Sequence, residues 1–171
     1  MSDQERLAVE ARIRSAGLAV PSLAEARANY ELMGEITPLV DGVTAEPGTI
    51  AGVPVEYLRP DSDQGGVILF THGGGYTIGS LNTHRGLASH IALAAKATVI
   101  QIDYRLSPEH VFPAASDDCL AVYRAVLEQG HAPASIALAG DSAGGGLVIA
   151  TLMRARDGGL PLPCAAFVMS P

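Results

Sequence analysis

A serine between two glycines is the residue of this sequence best suited to nucleophilic chemistry. Residues 140–144, Gly-Asp-Ser-Ala-Gly, have the form G-x-S-x-G. They directly follow an apolar run at 136–139 and directly precede a stretch with helical spacing, which is the strand–turn–helix context of a nucleophile elbow. Gly140 and Gly144 leave room where neighbouring chain passes close to so sharp a turn. The pattern predicts Ser142 as a nucleophile above a sheet; an ordinary glycine-rich loop is the alternative.

Three consecutive glycines form a second candidate feature. They lie in the segment His-Gly-Gly-Gly-Tyr at 72–76, directly after the apolar run 67–71. No side chain shields the N–H groups of such glycines, so they can converge on an oxyanion. We predict Gly73 and Gly74 as donors, with the Ala143 N–H on the opposite side of the hole. The histidine is expected to fix the loop by hydrogen bonding and the tyrosine to pack at the pocket rim; a flexible turn is the alternative. The residues predicted to support both motifs are His72, Gly75, Tyr76, Gly140, Asp141 and Gly144.

The sequence has no candidate base after Ser142, which is where a nucleophile elbow of this kind requires one. A serine hydroxyl is a poor nucleophile without a base, and the triad acid and histidine follow the serine along the chain. All five histidines precede it, at positions 72, 84, 90, 110 and 131, and Asp157 is the one carboxylate after it. Asp157 is expected to lie at a solvated helix terminus. We therefore expect the triad acid and histidine outside these 171 residues, and the chain alone to be inactive or nearly so. Three explanations of the missing residues remain open: the chain is a fragment of a longer protein, a cleaved piece, or a natural truncated form.

Four apolar runs of strand length indicate the framework that positions these two motifs. They are residues 67–70, 97–102, 135–139 and 165–169. Continuous runs of this kind fit parallel strands that are covered on both faces by helices. The segments between them have helical spacing and are predicted as helices 83–96, 114–129, with Gly130 as C-cap, and 143–156. This alternation predicts an α/β fold with right-handed crossovers.

The first third of the chain carries weaker signals. Residues 2–17 and 22–34 are predicted as helices, the second with Ser22 as its N-cap. Residues 38–47 are rich in turn formers, and residues 49–58 suggest one edge strand, where a proline is tolerated.

Composition limits the classes of function. The chain has 171 residues, 48% of them hydrophobic, and a net charge of -7, which suits one domain with a core. The 11 basic residues are scattered among 18 acidic ones, so no nucleic-acid surface is expected. No apolar stretch approaches the ~20 residues of a membrane span, and no secretory signal is expected at the N-terminus. Cys119 and Cys164 are predicted to be reduced core thiols, which indicates a cytoplasmic location. His84 and His90 are spaced unsuitably for a shared metal, and no metal site is expected.

These motifs, in this order, resemble those of the hormone-sensitive-lipase-like esterases, which have the α/β-hydrolase fold. The resemblance rests on residues 72–76, on Asp-Tyr-Arg-Leu-Ser-Pro-Glu-His at 103–110, and on 140–145. It implies that residues 1–37 are helices that contribute to a cap. Residues 38–171 would then be the N-terminal part of the hydrolase core, a mostly parallel sheet flanked by helices.

The resemblance also implies a function. That function is a serine carboxylesterase acting on short- to medium-chain acyl esters without a cofactor, with Ser142 as nucleophile. Two partners would fit: a second chain that carries the remainder of the hydrolase, or a second copy of this chain in a homodimer. A non-catalytic, receptor-like homologue that binds a small ligand is the alternative. One structural polar network is expected to support the active-site loops; its members are Arg105, Glu109, Asp117 and Asp118.

Overall fold

A six-stranded mixed sheet forms the centre of the protein, seen in a computed structural model that describes residues 2–15 and 21–171. The strands are β1 (Val43–Ile50), β2 (Val53–Pro60), β3 (Gly66–Thr71), β4 (Ala97–Ile102), β5 (Ile136–Asp141) and β6 (Ala165–Met169). Their order is β1-β2-β4-β3-β5-β6. The pairs β1/β2 and β2/β4 are antiparallel, and the remaining pairs are parallel. The predicted α/β fold with a mostly parallel sheet is confirmed.

Six α-helices lie in the described residues: α1 (Asp3–Ser15), α2 (Leu23–Glu31), α3 (Met33–Ile36), α4 (Leu81–Ala95), α5 (Ala114–Glu128) and α6 (Ala143–Asp157). Of these, α4 covers one face of the sheet, and α5 and α6 cover the other. Successive strand residues alternate between two apolar clusters: Leu69 packs with α5 and α6, whereas Phe70 packs with α4. Both faces of the parallel strands are thereby buried, which is why those strands have continuous apolar runs. None of the helices in the described ranges has the length and apolar character to cross a membrane.

The region before β3 differs from the prediction. The single strand expected at 49–58 is two strands, β1 and β2, because Ala51 and Gly52 reverse the chain with φ values of 51° and 81°. Positive φ at both central residues is the requirement of a tight hairpin turn. The turn-rich segment 38–47 in fact enters β1, where Pro47 is tolerated because β1 is the outer strand.

The two predicted N-terminal helices are present with different ends. Ser22 caps α2 with its side chain, and Glu25 returns a bond to the Ser22 backbone, so the N-cap prediction is confirmed. The helix predicted at 22–34 divides, because α2 ends at Glu31 and α3 begins at Met33. Positions 16 and 17 of the first predicted helix lie outside the described residues.

Two other expectations are met only in part. All four residues of the expected polar network form ion pairs, but they do so in three pairs, Arg105–Asp118, Arg27–Glu109 and Arg154–Asp117, and not as one network. The separation arises because Glu109 and Asp117 each meet an arginine from a distant helix. Cys119 is buried as predicted, but Cys164 is exposed, because it precedes the outer strand β6, whose first residues are exposed.

Candidate active site

Ser142 occupies the turn between β5 and α6 with an unusual backbone conformation. Its φ is 48° and its ψ is −121°, a region that costs a non-glycine residue on the order of 1–3 kcal/mol. Hydrogen bonds hold the residue on both sides: its N–H donates to Met169 O at 2.7 Å, and its carbonyl accepts from Gly146 N at 3.0 Å. The Ser142 side chain is exposed, and its hydroxyl bonds to no group in the described part of the chain. The turn therefore presents the hydroxyl outward.

Two glycines make this turn sterically possible. A Cβ on Gly140 would lie 2.5 Å from Thr71 Oγ1, and a Cβ on Gly144 would overlap the Thr71 carbonyl oxygen. Thr71 is the last residue of β3, and its hydroxyl donates to Gly144 O at 2.8 Å. The end of β3 thus packs directly against the first turn of α6, and side chains at these two positions would separate them.

Asp141 connects the serine turn with the glycine loop. The Gly73 N–H donates to Asp141 Oδ1 at 2.9 Å, and His84 Nε2 lies 3.4 Å from the same oxygen. Partial burial alone would raise the pKa of Asp141, but the contacts with His84 and the Gly73 N–H outweigh it and lower the pKa. The side chain directly before the serine is therefore a carboxylate at neutral pH, and it fixes the start of the loop.

The predicted oxyanion donors have different surroundings. The prediction for Gly73 is at odds with the structure, because the Asp141 carboxylate already accepts its N–H. Among the described residues, the N–H groups of Gly74, Gly75 and Ala143 have no acceptor. Gly74 and Gly75 have φ values of 125° and 59°, and a Cβ on Gly74 would overlap the Ile78 carbonyl oxygen. The loop conformation thus requires glycine and leaves two consecutive N–H groups free.

His72 is committed to the structure of the loop. It is buried, and its Nδ1 lies 2.7 Å from Gly73 O. A carbonyl can only accept, so Nδ1 carries the proton; Nε2 has no partner within the described residues. Burial lowers the pKa of His72 to about 4, so the ring is neutral at pH 7. Tyr104 stacks on it at 4.4 Å between ring centroids and donates its hydroxyl to His72 O at 2.7 Å.

The other histidines are likewise not paired with the serine. His84 is buried on α4, with Nδ1 2.7 Å from Thr83 Oγ1 and Nε2 beside Asp141. His90 and His110 are exposed. In the part of the chain that the structure describes, no histidine bonds to the Ser142 hydroxyl, and no group of three or more His, Cys, Asp or Glu could hold a metal ion. The contact of His84 with Asp141 has no signal in the sequence.

A cavity of about 420 Å³ opens between the glycine loop, the segment after β4 and the first turns of α6. Tyr76 forms one wall: its φ is 62°, its carbonyl accepts from Ser107 N at 2.8 Å, and its hydroxyl lies against Gly146, where a Cβ would come within 2.6 Å. The other apolar lining residues are Phe112, Pro113, Ala115, Leu147 and Ala150. The predicted place of Tyr76 at a pocket corresponds to this cavity.

A serine turn beside a glycine loop, on a mostly parallel sheet, defines the α/β-hydrolase class of proteins. A family profile described as alpha/beta hydrolase fold matches residues 68–171. The acetyl-hydrolase of Streptomyces hygroscopicus is 47% identical over 123 residues, which cover 72% of this chain and 41% of that protein. The ethyl acetate hydrolase of Pseudomonas putida is 38% identical over 156 residues, which cover 78% of this chain and 48% of that protein.

Solved structures agree with these sequence relatives. An esterase from the bacterial hormone-sensitive lipase family superposes with a TM-score of 0.83 and 43% identity, covering 97% of this chain and 57% of that chain. The chain belongs to the hormone-sensitive-lipase-like family of α/β-hydrolases. It spans about half the length of the curated relatives it matches.

Proposed function

We propose that this chain carries the nucleophile and oxyanion half of a serine carboxylesterase. The observation that carries the proposal is Ser142, at a positive φ of 48°, with a free hydroxyl at the N-terminus of α6. The glycine loop that could stabilise an oxyanion is tied to the preceding residue. The names of the relatives, acetyl-hydrolase and ethyl acetate hydrolase, support a carboxylic ester as substrate.

In the proposed reaction, the Ser142 oxygen attacks the ester carbonyl and forms a tetrahedral intermediate. Its oxyanion accepts hydrogen bonds from the N–H groups of Gly74, Gly75 and Ala143, which have no other acceptor among the described residues. The positive end of the α6 dipole also favours this charge. Loss of one donor of this kind typically costs about 10²–10³ in rate. Gly73 has a different part, which is to hold Asp141.

The reaction also needs a base, and we propose that it lies outside residues 1–171. Two observations support this: no described histidine bonds to Ser142, and the chain spans about half of its relatives. A histidine supplied there would take the serine proton and return it to the leaving alcohol, as in other serine hydrolases. Without it, residual catalysis of only ~10³–10⁴-fold over water is expected from binding and the oxyanion hole.

The cavity supports a short- to medium-chain substrate. Its volume of about 420 Å³ lies at the small end of ligand pockets, which hold roughly 300–1,000 Å³. Tyr76, the last residue of the glycine motif, and Gly146, whose N–H donates to the Ser142 carbonyl, both line it. An apolar acyl or alcohol group in this cavity would therefore lie next to the serine turn.

Release of p-nitrophenol from p-nitrophenyl acetate and butyrate tests the proposal. The 171-residue chain is compared with Ser142→Ala and with Ser170→Ala, a matched serine that also has a positive φ, of 47°. We expect a slow release that Ser142→Ala abolishes and Ser170→Ala leaves unchanged. Rapid turnover that depends on Ser142 would contradict the proposal that the base lies outside the chain. Release above the rate of the buffer alone that does not depend on Ser142 would contradict the proposed nucleophile.

A further inference from the structure

The guanidinium of Arg27, on α2, contacts both loops that border the candidate site. Its Nε donates to Thr77 O at 2.8 Å, and its Nη2 donates to Ser107 O at 3.1 Å. The same group forms a two-pronged pair with Glu109, at 2.7 Å and 2.8 Å. One side chain thus links α2 with the segment after β3 and the segment after β4.

These contacts act on backbone that directly continues the glycine loop. Thr77 follows Tyr76, whose carbonyl accepts the Ser107 N–H at 2.8 Å, and the Thr77 N–H donates to Gly74 O at 3.1 Å. Arg27 therefore binds the same two segments that the Tyr76–Ser107 bond joins. It contacts Thr77, next to the Tyr76 wall of the cavity and two residues from the free N–H group of Gly75.

The helix that carries Arg27 is attached by a half-buried face that mixes apolar and polar side chains: Leu23, Ala26, Arg27, Tyr30 and Glu31. None of its residues is buried. Besides Arg27, it contributes a tilted ring contact of Tyr30 with His84 and a bond from Asn82 Nδ2 to Glu31 Oε2 at 3.0 Å. Because none of these apolar side chains is fully buried, apolar packing alone does not account for the docking of this helix. Docking of α2 therefore depends in part on the Arg27 contacts, and those contacts lie on the site loops.

We propose that Arg27 is a positioning residue that couples the docking of α2 to the conformation of the loop at residues 74–78. The coupling rests on the proposed function only in the use of that loop as an oxyanion hole. A lysine keeps the charge, but its single nitrogen has three N–H groups and cannot replace the four bonds that the three guanidinium nitrogens make. Arg27→Lys therefore removes the coupling and keeps the charge.

Hydrogen exchange measured by mass spectrometry tests the coupling in the 171-residue chain. The amides of Thr77 and Ile78 report on the loop, since both donate to Gly74 O. Residues 97–102 of β4 report on global unfolding. In Arg27→Lys we expect the loop amides to exchange at least about tenfold faster, the effect of losing bonds with a charged donor. Arg156→Lys, which alters an exposed arginine paired with Asp157, is the matched control and should leave both regions unchanged.

Glu109→Gln keeps the proposal testable if Arg27→Lys fails to fold. It removes the charge that pairs with Arg27 and should increase loop exchange by a smaller factor. Loop exchange in Arg27→Lys equal to that of Arg156→Lys would overturn the coupling, as would unchanged exchange in Glu109→Gln if it is the variant that folds. The ester-release assay that compares the original chain with Ser142→Ala is run alongside. Release that does not depend on Ser142 overturns the proposed function alone, and unchanged loop exchange overturns the coupling alone.

Discussion

The amide of Gly73 donates a hydrogen bond of 2.9 Å to Oδ1 of Asp141. This bond joins the first glycine of the loop to the residue that precedes the candidate nucleophile, across the interface of β3 and β5. The two motifs, which are 68 residues apart in sequence, are therefore joined directly, and the bond fixes the start of the glycine loop relative to the serine turn.

Replacing Asp141 tests the bond itself. Asp141→Ala leaves the Gly73 N–H without its acceptor and should lower the free energy of unfolding by about 1–3 kcal/mol. Asp141→Asn retains an acceptor oxygen and should cost less. Urea denaturation measures both variants beside Asp157→Ala, whose carboxylate is exposed at the end of α6 and should cost under about 0.5 kcal/mol. An Asp141→Ala protein as stable as Asp157→Ala would contradict the bond's importance.

Gly144→Ala tests the packing beneath the serine. The new methyl group would overlap the Thr71 carbonyl, and both atoms belong to backbone that cannot rotate away. We expect a loss of at least about 3 kcal/mol, at the upper end of overpacking effects. Gly52→Ala is the control: it lies in the hairpin turn with a φ of 81° and no atom within 4 Å, and should cost only about 1–2 kcal/mol for its conformation. Thermal unfolding that ranks the two variants equally would refute this explanation.

Gly146→Ala should have the opposite outcome for stability. The added methyl would come within 2.6 Å of the Tyr76 hydroxyl, but that is the free end of a side chain and it can move aside. Alanine inside a helix also gains up to about 1 kcal/mol over glycine. The variant should be at least as stable as the original protein. Its ratio of p-nitrophenyl butyrate to acetate hydrolysis should change, because Tyr76 forms the cavity wall; an unchanged ratio would show that it does not.

The buried His72 makes stability depend on pH. Its pKa is 6.5 in the unfolded chain and about 4 in the folded one, so the unfolded state binds the proton first as the pH falls. The stabilisation from the neutral ring is full above pH 6.5 and is lost as the pH approaches 4. The difference corresponds to about 3 kcal/mol. His72→Asn can place an amide near the Nδ1 position and has no such titration. Urea denaturation at several pH values should therefore show a steeper decline for the original protein, and parallel declines would contradict the assignment.

Local signals predicted most of the sheet and the two motifs, whereas contacts between distant segments were not predictable. The apolar runs gave β3 to β6 because parallel strands are buried on both faces. The hairpin was missed because its turn, Ala51-Gly52, lacks the usual Asn-Gly or Asp-Gly signal and because Pro47 suggested a break. The bond from Arg27 to Thr77 spans 50 residues, so nothing in the local sequence indicates it. The engagement of Gly73 by Asp141 was missed for the same reason.

The most direct test of the central claim is the site at which a fluorophosphonate probe attaches. The folded 171-residue chain is incubated with the probe for an extended time, and the adduct is located by peptide mass spectrometry. Ser142→Ala and a urea-unfolded sample serve as controls. Without its base Ser142 reacts slowly, but its exposed position beside the free N–H groups of the glycine loop predicts one adduct, on Ser142, that is absent from both controls. Labelling of other serines at the same rate, or a folded protein in which Ser142 remains unmodified, would contradict the assignment of Ser142 as the nucleophile.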